Sequence, residues 1–347
     1  MIEPETVLVL GAGASCDFGF PTGEELVTYC EKDWQHELLK EVCYVYYPSS
    51  DDLVDEFHAA LANAKPVSVD AWLEHNPPFV GVGKVAIAIA LLYHEREDLK
   101  RGLRKKGAGE EPAGDWHQLL FNRLNSPFDK FQENRLRIIT FNYDRSLEHD
   151  LYTIFKNTHR GRTEEECKET FRELEILHVY GSLGRLEWQP EDPPEDSNVL
   201  CLPYGADINL LRPDIEEFVH RAAESIKIIP EGQVELTEEF KQARDWVRWA
   251  KALYFLGFGY HRTNMERLGT ECFQVPKLMG TGYRLGLGEK NYIRRESKDR
   301  LGHRILYEGN VAVPQTNLID KPVYQFLFEH VDFNDPNLPL LPRFDRS

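Results

Sequence analysis

Hydrophobic positions along the chain follow two periods. Short, nearly continuous apolar runs bounded by glycine or polar clusters recur at four places: TVLVL, RIITF, EILHVY and ALYFLG. Runs of this length and composition predict buried parallel strands over 6–10, 136–141, 175–180 and 252–257. Between the first two, the period changes. From Thr22, TGEELVTYCEKDWQHELLKEV places Leu26, Tyr29, Cys30, Leu38, Leu39 and Val42 at helical spacing, with Glu24 and Glu25 in the first turn. SSDDLVDEFHAALANA and the 80–105 stretch predict further helices. Later helical patterns begin at about Ser146, cover roughly 163–174 and run over about 235–250.

Strands separated by helices predict an α/β fold, Rossmann-like and doubly wound, around a mostly parallel sheet. The chain is expected to form a single domain over 1–347, with a mostly helical insertion at about 24–130. GAGEEPAGD at 107–115 and the acidic, Pro-rich QPEDPPEDSN at 189–198 predict polar surface loops. The Pro-rich C-terminal tail, at about 334–347, is expected to lie extended along the surface.

Composition narrows the class. With 41% hydrophobic and 29% charged residues, a soluble globular chain is expected. The longest apolar run, VAIAIALL at 85–92, is far short of the about 20 residues a bilayer requires, so no membrane partner is expected. MIEPETVLVLG is acidic and enters a strand at once, unlike a signal or transit peptide. The six cysteines form no C-x-x-C pair, which predicts no metal site and fits reduced thiols in a cytoplasmic location. A formal net charge of −17 would repel a phosphate backbone. The two basic clusters, Lys100 to Lys106 and Arg294 to Arg304, are interrupted and lack interleaved aromatics, so they are taken as solvated faces without direct nucleic-acid binding.

In sheets of this kind the ligand sits at the carboxyl ends of the strands. The first end, Gly11-Ala12-Gly13-Ala14-Ser15, has glycines that let backbone approach a pyrophosphate and a serine hydroxyl to donate. The competing reading is a glycine turn that packs a strand against a helix. No acid stands at the end of a second strand about 20 residues on, where a dehydrogenase holds its ribose, because Glu31 and Asp33 lie in a helical pattern. The second end, Thr140-Phe141-Asn142-Tyr143-Asp144, puts Asn142 and Asp144 directly after an apolar run; the structural alternative is that Asp144 caps the next helix. The third, His178-Val179-Tyr180-Gly181-Ser182, closes the 175–180 strand, and alternation along it places His178 and Tyr180 on one face. The fourth, Gly257-Phe258-Gly259, again offers backbone to a ligand.

These four strings together resemble the sirtuin fold, and within it the sirtuin-like NAD-hydrolysing proteins of bacterial antiphage defence. The resemblance implies that Gly11, Ala12, Gly13 and Ser15 hold the NAD pyrophosphate. It implies that Asn142 is the catalytic residue at the nicotinamide ribose, with Asp144 near the carboxamide and Thr140, Gly181, Ser182, Gly257 and Gly259 around the nucleotide. His178 is the candidate catalytic histidine and Tyr180, a residue of the nucleotide site, the fallback, because the family's histidine directly precedes the glycine, where this chain has Tyr180. The two cysteine pairs of the deacylase zinc ribbon are missing, and Gly19-Phe20-Pro21-Thr22-Gly23 stands where deacylases carry Pro-Asp-Phe-Arg. The expected activity is therefore NAD glycohydrolysis, with NAD as substrate, no metal, a homo-oligomeric state and a ring-forming ATPase as a possible partner. Alternatives are a protein deacylase or ADP-ribosyltransferase at the same site, and a non-catalytic NAD or ADP-ribose sensor.

Overall fold

Strand β1 (Thr6–Leu10) is buried at every position. It pairs in parallel with β2 (Leu136–Thr140) on one side and β4 (Ala252–Leu256) on the other, and β3 (Glu175–His178) continues the sheet beyond β2. The computed structural model of the protein describes residues 1–47, 51–96, 114–189, 203–206, 215–229, 236–269, 275–296, 303–308 and 311–335. The Lys100 to Lys106 cluster, Cys201, Cys272 and nearly all of the predicted loops at 107–115 and 189–198 and of the tail lie outside these residues.

Beyond β4 come β5 (Lys277–Thr281) and β8 (Leu318–Ile319), giving a six-stranded, all-parallel sheet in the order β3-β2-β1-β4-β5-β8. The chain winds outward from β1 to β3, returns to β4 and winds out the other way, so the order reverses between β1 and β4. A separate antiparallel hairpin joins β6 (His303–Glu308) to β7 (Val311–Thr316).

The four sequence-predicted strands all form, and three stop earlier than expected. β2 ends at Thr140, β3 at His178 and β4 at Leu256. For β3 and β4 the cause is backbone: Gly181 and Gly257 adopt φ of 75° and 57°, left-handed values that turn the chain out of the sheet. β5 and β8 escape the sequence pattern. KLMGT carries a glycine, and β8 is only two residues long.

Every described element between β1 and β2 is helical. Helix α1 (Gly23–Cys30) begins with a capping box between Thr22 and Glu25. The single pattern read from Thr22 splits at Glu31 and Lys32, and α2 (Asp33–Tyr46) follows. Then come α3 (Asp51–Ala64), α4 (Val69–Glu74), α5 (Val80–Glu95) and α6 (Trp116–Leu124). Helix α5 contains the apolar run VAIAIALL and is the hub of this layer, touching α1 to α4 and also α9 (Ile215–Glu224). Among the described residues, Pro77–Glu95 is the one stretch long and apolar enough to cross a membrane; 61% of its apolar window is buried inside the fold. Its all-round hydrophobicity is that of a core helix.

After β2, α7 (Ser146–Thr158) and α8 (Glu164–Phe171) lead to β3; α8 starts with a second capping box, Thr163 with Glu166. A fully buried ion pair ties the helical layer to this region. Arg145 Nη2 lies 2.7 Å and Nε 3.1 Å from the two carboxylate oxygens of Glu95, with the side chains 1% and 0% exposed. The two-pronged geometry satisfies both charges away from water.

Candidate functional site

Register brings the strand ends together. Leu10 pairs with Thr140 on one side and Leu256 on the other, and Thr140 pairs with His178. The four predicted strand ends therefore stand in one row along the carboxyl edge of the sheet.

At the first end, GAGAS does not open directly into an α-helix. Two 3-10 turns, Ala12–Ala14 and Cys16–Phe18, come first, and α1 begins only at Gly23. The glycines here answer to backbone packing. A Cβ on Gly11 would stand 2.8 Å from the Gly257 carbonyl oxygen, and one on Gly13 would stand 2.9 Å from it. Gly11 N–H donates to the Leu256 carbonyl at 3.1 Å and Gly13 N–H to the Gly257 carbonyl at 2.9 Å. The β1 and β4 end loops are thus locked together where the strand order reverses. The glycine-turn alternative applies here, with a strand-end loop as the packing partner.

The open space lies on the other side of β1, toward β2. A cleft with about 240 Å³ of empty space, part of it open to solvent, is lined by Leu10, Ser15, Trp116, His117, Thr140, Asn142, Asp144, Leu147 and Glu148. Asn142 is held from two sides. Its Nδ2 donates to the Gly11 carbonyl and to Ser15 Oγ, both at 3.0 Å. Both amide protons are therefore committed, and what this head group offers a ligand is its carbonyl oxygen, an acceptor. Ser15 Oγ passes its own proton to Asp144 Oδ2 at 2.7 Å. Asp144 Oδ1 accepts from the Ser146 backbone N–H at 3.1 Å and from the Ser146 hydroxyl. Asp144 thus caps the start of α7 with one oxygen and serves the cleft chain with the other. Burial pushes its carboxyl above the ordinary aspartate range, an effect the serine hydrogen bonds only partly offset.

His178 stands behind this chain and is not part of the cleft lining. Its Nδ1 faces the Asn142 backbone carbonyl at 2.8 Å, and its Nε2 pairs with Glu148 Oε1. Burial alone would lower the imidazole pKa, but the Glu148 charge and hydrogen bond outweigh it and raise it. Burial likewise pushes Glu148 up, and the His178 charge and hydrogen bond bring it below the ordinary glutamate range. A lowered carboxylate stabilises the fold above its unfolded pKa near 4.5, and a raised imidazole does so below its unfolded pKa near 6.5. The pair therefore contributes fully between about pH 4.5 and 6.5, and fades as pH falls through the folded Glu148 value or rises through the folded His178 value. Urea denaturation across pH should show the largest gap between wild type and His178→Gln inside that window; a gap that keeps growing above pH 8 would contradict this assignment.

The remaining sequence candidates are placed elsewhere. Tyr180 does not share a face with His178, because β3 has already ended. Its hydroxyl donates to Asn264 Oδ1 at 2.7 Å and accepts from Arg267, and its ring packs on Phe141 and Phe240. Gly181 approaches the Ser225 carbonyl so closely that a Cβ would collide with it, and Ser182 Oγ donates to the Gly184 carbonyl at 3.3 Å. Gly257 turns against Ala14, and a Cβ on Gly259 would meet the His261 ring at 3.0 Å. None of these five lines the cleft, and neither do Gly11, Ala12 and Gly13.

Two aromatic contributors come from the helical layer and were not identified in the sequence. Trp116 Nε1 donates to the Ala14 carbonyl at 2.7 Å. His117 stacks on Phe18 with ring centroids 3.6 Å apart and bonds Asp150 at 2.9 Å. The sequence signal available was Asp115, whose side chain accepts from Gln118 N–H and caps α6 immediately before them. Glu148 was also missed, since an acid in the first turn of a helix ordinarily answers the helix dipole. Among the described residues no group of three or more His, Cys, Asp or Glu could hold a metal ion. No protein-family model and no curated protein matches the chain.

Proposed function

We propose that the protein is an NAD glycohydrolase that cleaves the nicotinamide–ribose bond to give nicotinamide and ADP-ribose. The observation that carries this reading is Asn142, fixed by the Gly11 carbonyl and the Ser15 hydroxyl with its amide oxygen as the group left to meet a ligand. It lines a cleft that also holds two buried carboxyl groups, Asp144 and Glu148. An acceptor at that place suits a ribose hydroxyl, which is a donor.

The chemistry asks for little else. Nicotinamide leaves a cationic pyridinium as a neutral molecule, so the leaving group takes no proton. Positive charge develops on the ribose at C1′, and preformed acceptors and negative charge close to it lower the barrier. Two acids flanking the scissile bond, as in glycosidases that must protonate an oxygen leaving group, are not needed for this reaction. The nicotinamide ribose would enter at this cleft, while the adenosine half would extend along the carboxyl edge of the sheet.

Uncontrolled NAD hydrolysis harms a cell, so this reading includes control by self-assembly or by a partner such as a ring-forming ATPase, as a defence effector would require. The test is mass spectrometry of products formed from NAD by the purified protein, dilute and concentrated. Wild type should release nicotinamide and ADP-ribose. Asn142→Ala should lose at least about 100-fold in rate, the scale of one lost transition-state contact, with its melting behaviour little changed. Full activity in Asn142→Ala would sink the assignment. Binding of NAD without any turnover would favour a sensor.

A further inference from the structure

We propose that Glu148 is the group that faces the reacting ribose and takes the proton of the incoming water, and that His178 is a positioning residue behind it. This inference rests on the glycohydrolase reading and assigns its proton acceptor.

Three observations carry it. Glu148 lines the cleft and His178 does not. Both ring nitrogens of His178 face acceptors: Nδ1 the Asn142 backbone carbonyl, Nε2 the Glu148 carboxylate. A carbonyl accepts only, so Nδ1 carries hydrogen; a carboxylate opposite Nε2 draws hydrogen there as well. An imidazole donating from both nitrogens has no lone pair with which to act as a base. Finally, His178 touches both the main chain of Asn142 and the side chain of Glu148, so one ring sets the relative position of the two groups that face the cleft.

The step balances without a further reactant. The bond from C1′ to the nicotinamide nitrogen breaks and its electron pair stays with nicotinamide. Water oxygen bonds to C1′, and one water proton passes to the Glu148 carboxylate and on to solvent. A carboxylate held below its ordinary range is a weak base, yet it suffices here. Water bonding to a cationic carbon becomes strongly acidic, so the acceptor needs position more than basicity.

The charged and titratable groups near the dyad are Asp144 and Arg145, which follow β2, and His117 of α6, which lines the cleft and pairs with Asp150 of α7. None of them replaces the His178 cation against Glu148. In His178→Gln, Glu148 stays buried but loses its partner, so its carboxyl titrates higher.

The experiment compares wild type, Glu148→Gln, Glu148→Asp and His178→Gln by the pH dependence of kcat and KM for NAD, with thermal melts as a check on folding. Glu148→Gln should lower kcat by about 100-fold or more while KM stays within a few-fold. Glu148→Asp, which keeps a carboxylate, should recover part of that loss. His178→Gln should lose less than Glu148→Gln, and the acidic limb of its profile should move up by about one pH unit or more. Wild-type cleavage retained by Glu148→Gln overturns the Glu148 role while leaving the glycohydrolase reading in place. An acidic limb that stays put in His178→Gln overturns the positioning role, and decides the matter if Glu148→Gln does not fold. Failure of the wild type to release nicotinamide overturns the glycohydrolase reading itself, and this inference with it.

Discussion

Replacing Arg145 with methionine should lower the stability of the protein by about 3–5 kcal/mol, the usual cost of leaving one member of a buried ion pair without its partner. Glu95 is 0% exposed and takes both of its close cationic contacts from Arg145. The Gly205 N–H also approaches it, at a long 3.4 Å. Arg145 also reaches the Arg185 carbonyl, at 3.4 Å, and faces the Tyr204 ring. Changing both members, Glu95→Leu with Arg145→Met, should recover most of the loss, because two apolar groups of similar size carry no unpaired charge. Urea denaturation of the two single variants and the double variant measures the coupling directly. A single-variant loss below about 1 kcal/mol would mean that water reaches the pair. The pair joins the end of α5 to the residue just before α7, so its loss should also loosen the segment that carries Asp144, Ser146 and Glu148.

Gly257→Ala should be nearly as damaging, at about 3 kcal/mol or more. Two costs add. Position 257 holds φ of 57°, which a side chain tolerates poorly, and a Cβ there would run into the backbone of Gly13 and Ala14. The clashing atoms are main chain, so they cannot swing aside. Because that backbone continues into Ser15, the substitution should disturb Asn142 as well, and under the proposed function NAD cleavage should weaken along with stability. Gly288→Ala is the control. It sits in the first turn of the helix Leu287–Glu296, a Cβ there meets nothing within 4 Å, and a gain of about 0.5 kcal/mol is expected. Equal effects at 257 and 288 would remove the packing explanation.

The same two loops show how far the site was legible in the sequence. Gly11, Gly13 and Ser15 stand out after TVLVL, and Asn142 and Asp144 stand out after RIIT, because polar or glycine positions at the end of a buried run need a reason. What that reason was, the string could not say. Gly11 and Gly13 accommodate Gly257 and Phe258, more than two hundred positions away along the chain. Ser15 and Asp144 meet across a separation of 129 positions, and Asn142 reaches Gly11 across 131. His178 and Tyr180 looked like alternatives on one face, a reading that assumed the strand continued. It ends at His178, and the left-handed turn at Gly181 sends Tyr180 to Asn264 and Arg267. Trp116 and His117 reach the cleft only because α6 docks against the β1 end loop.

The sequence by itself determined the α/β class, the four central strands, the run of helices between the first two and the presence of a polar cluster at the strand ends. Each of these follows from the local period of apolar residues and from burial on both faces, which contiguous residues carry among themselves. Only the tertiary structure decided the order of the strands, the side of β1 on which the cleft opens, the Ser15–Asn142–Asp144 chain and the pairing of His178 with Glu148. Those depend on parallel register and on helix docking, which set contacts between residues far apart in sequence and leave no periodic trace along the chain.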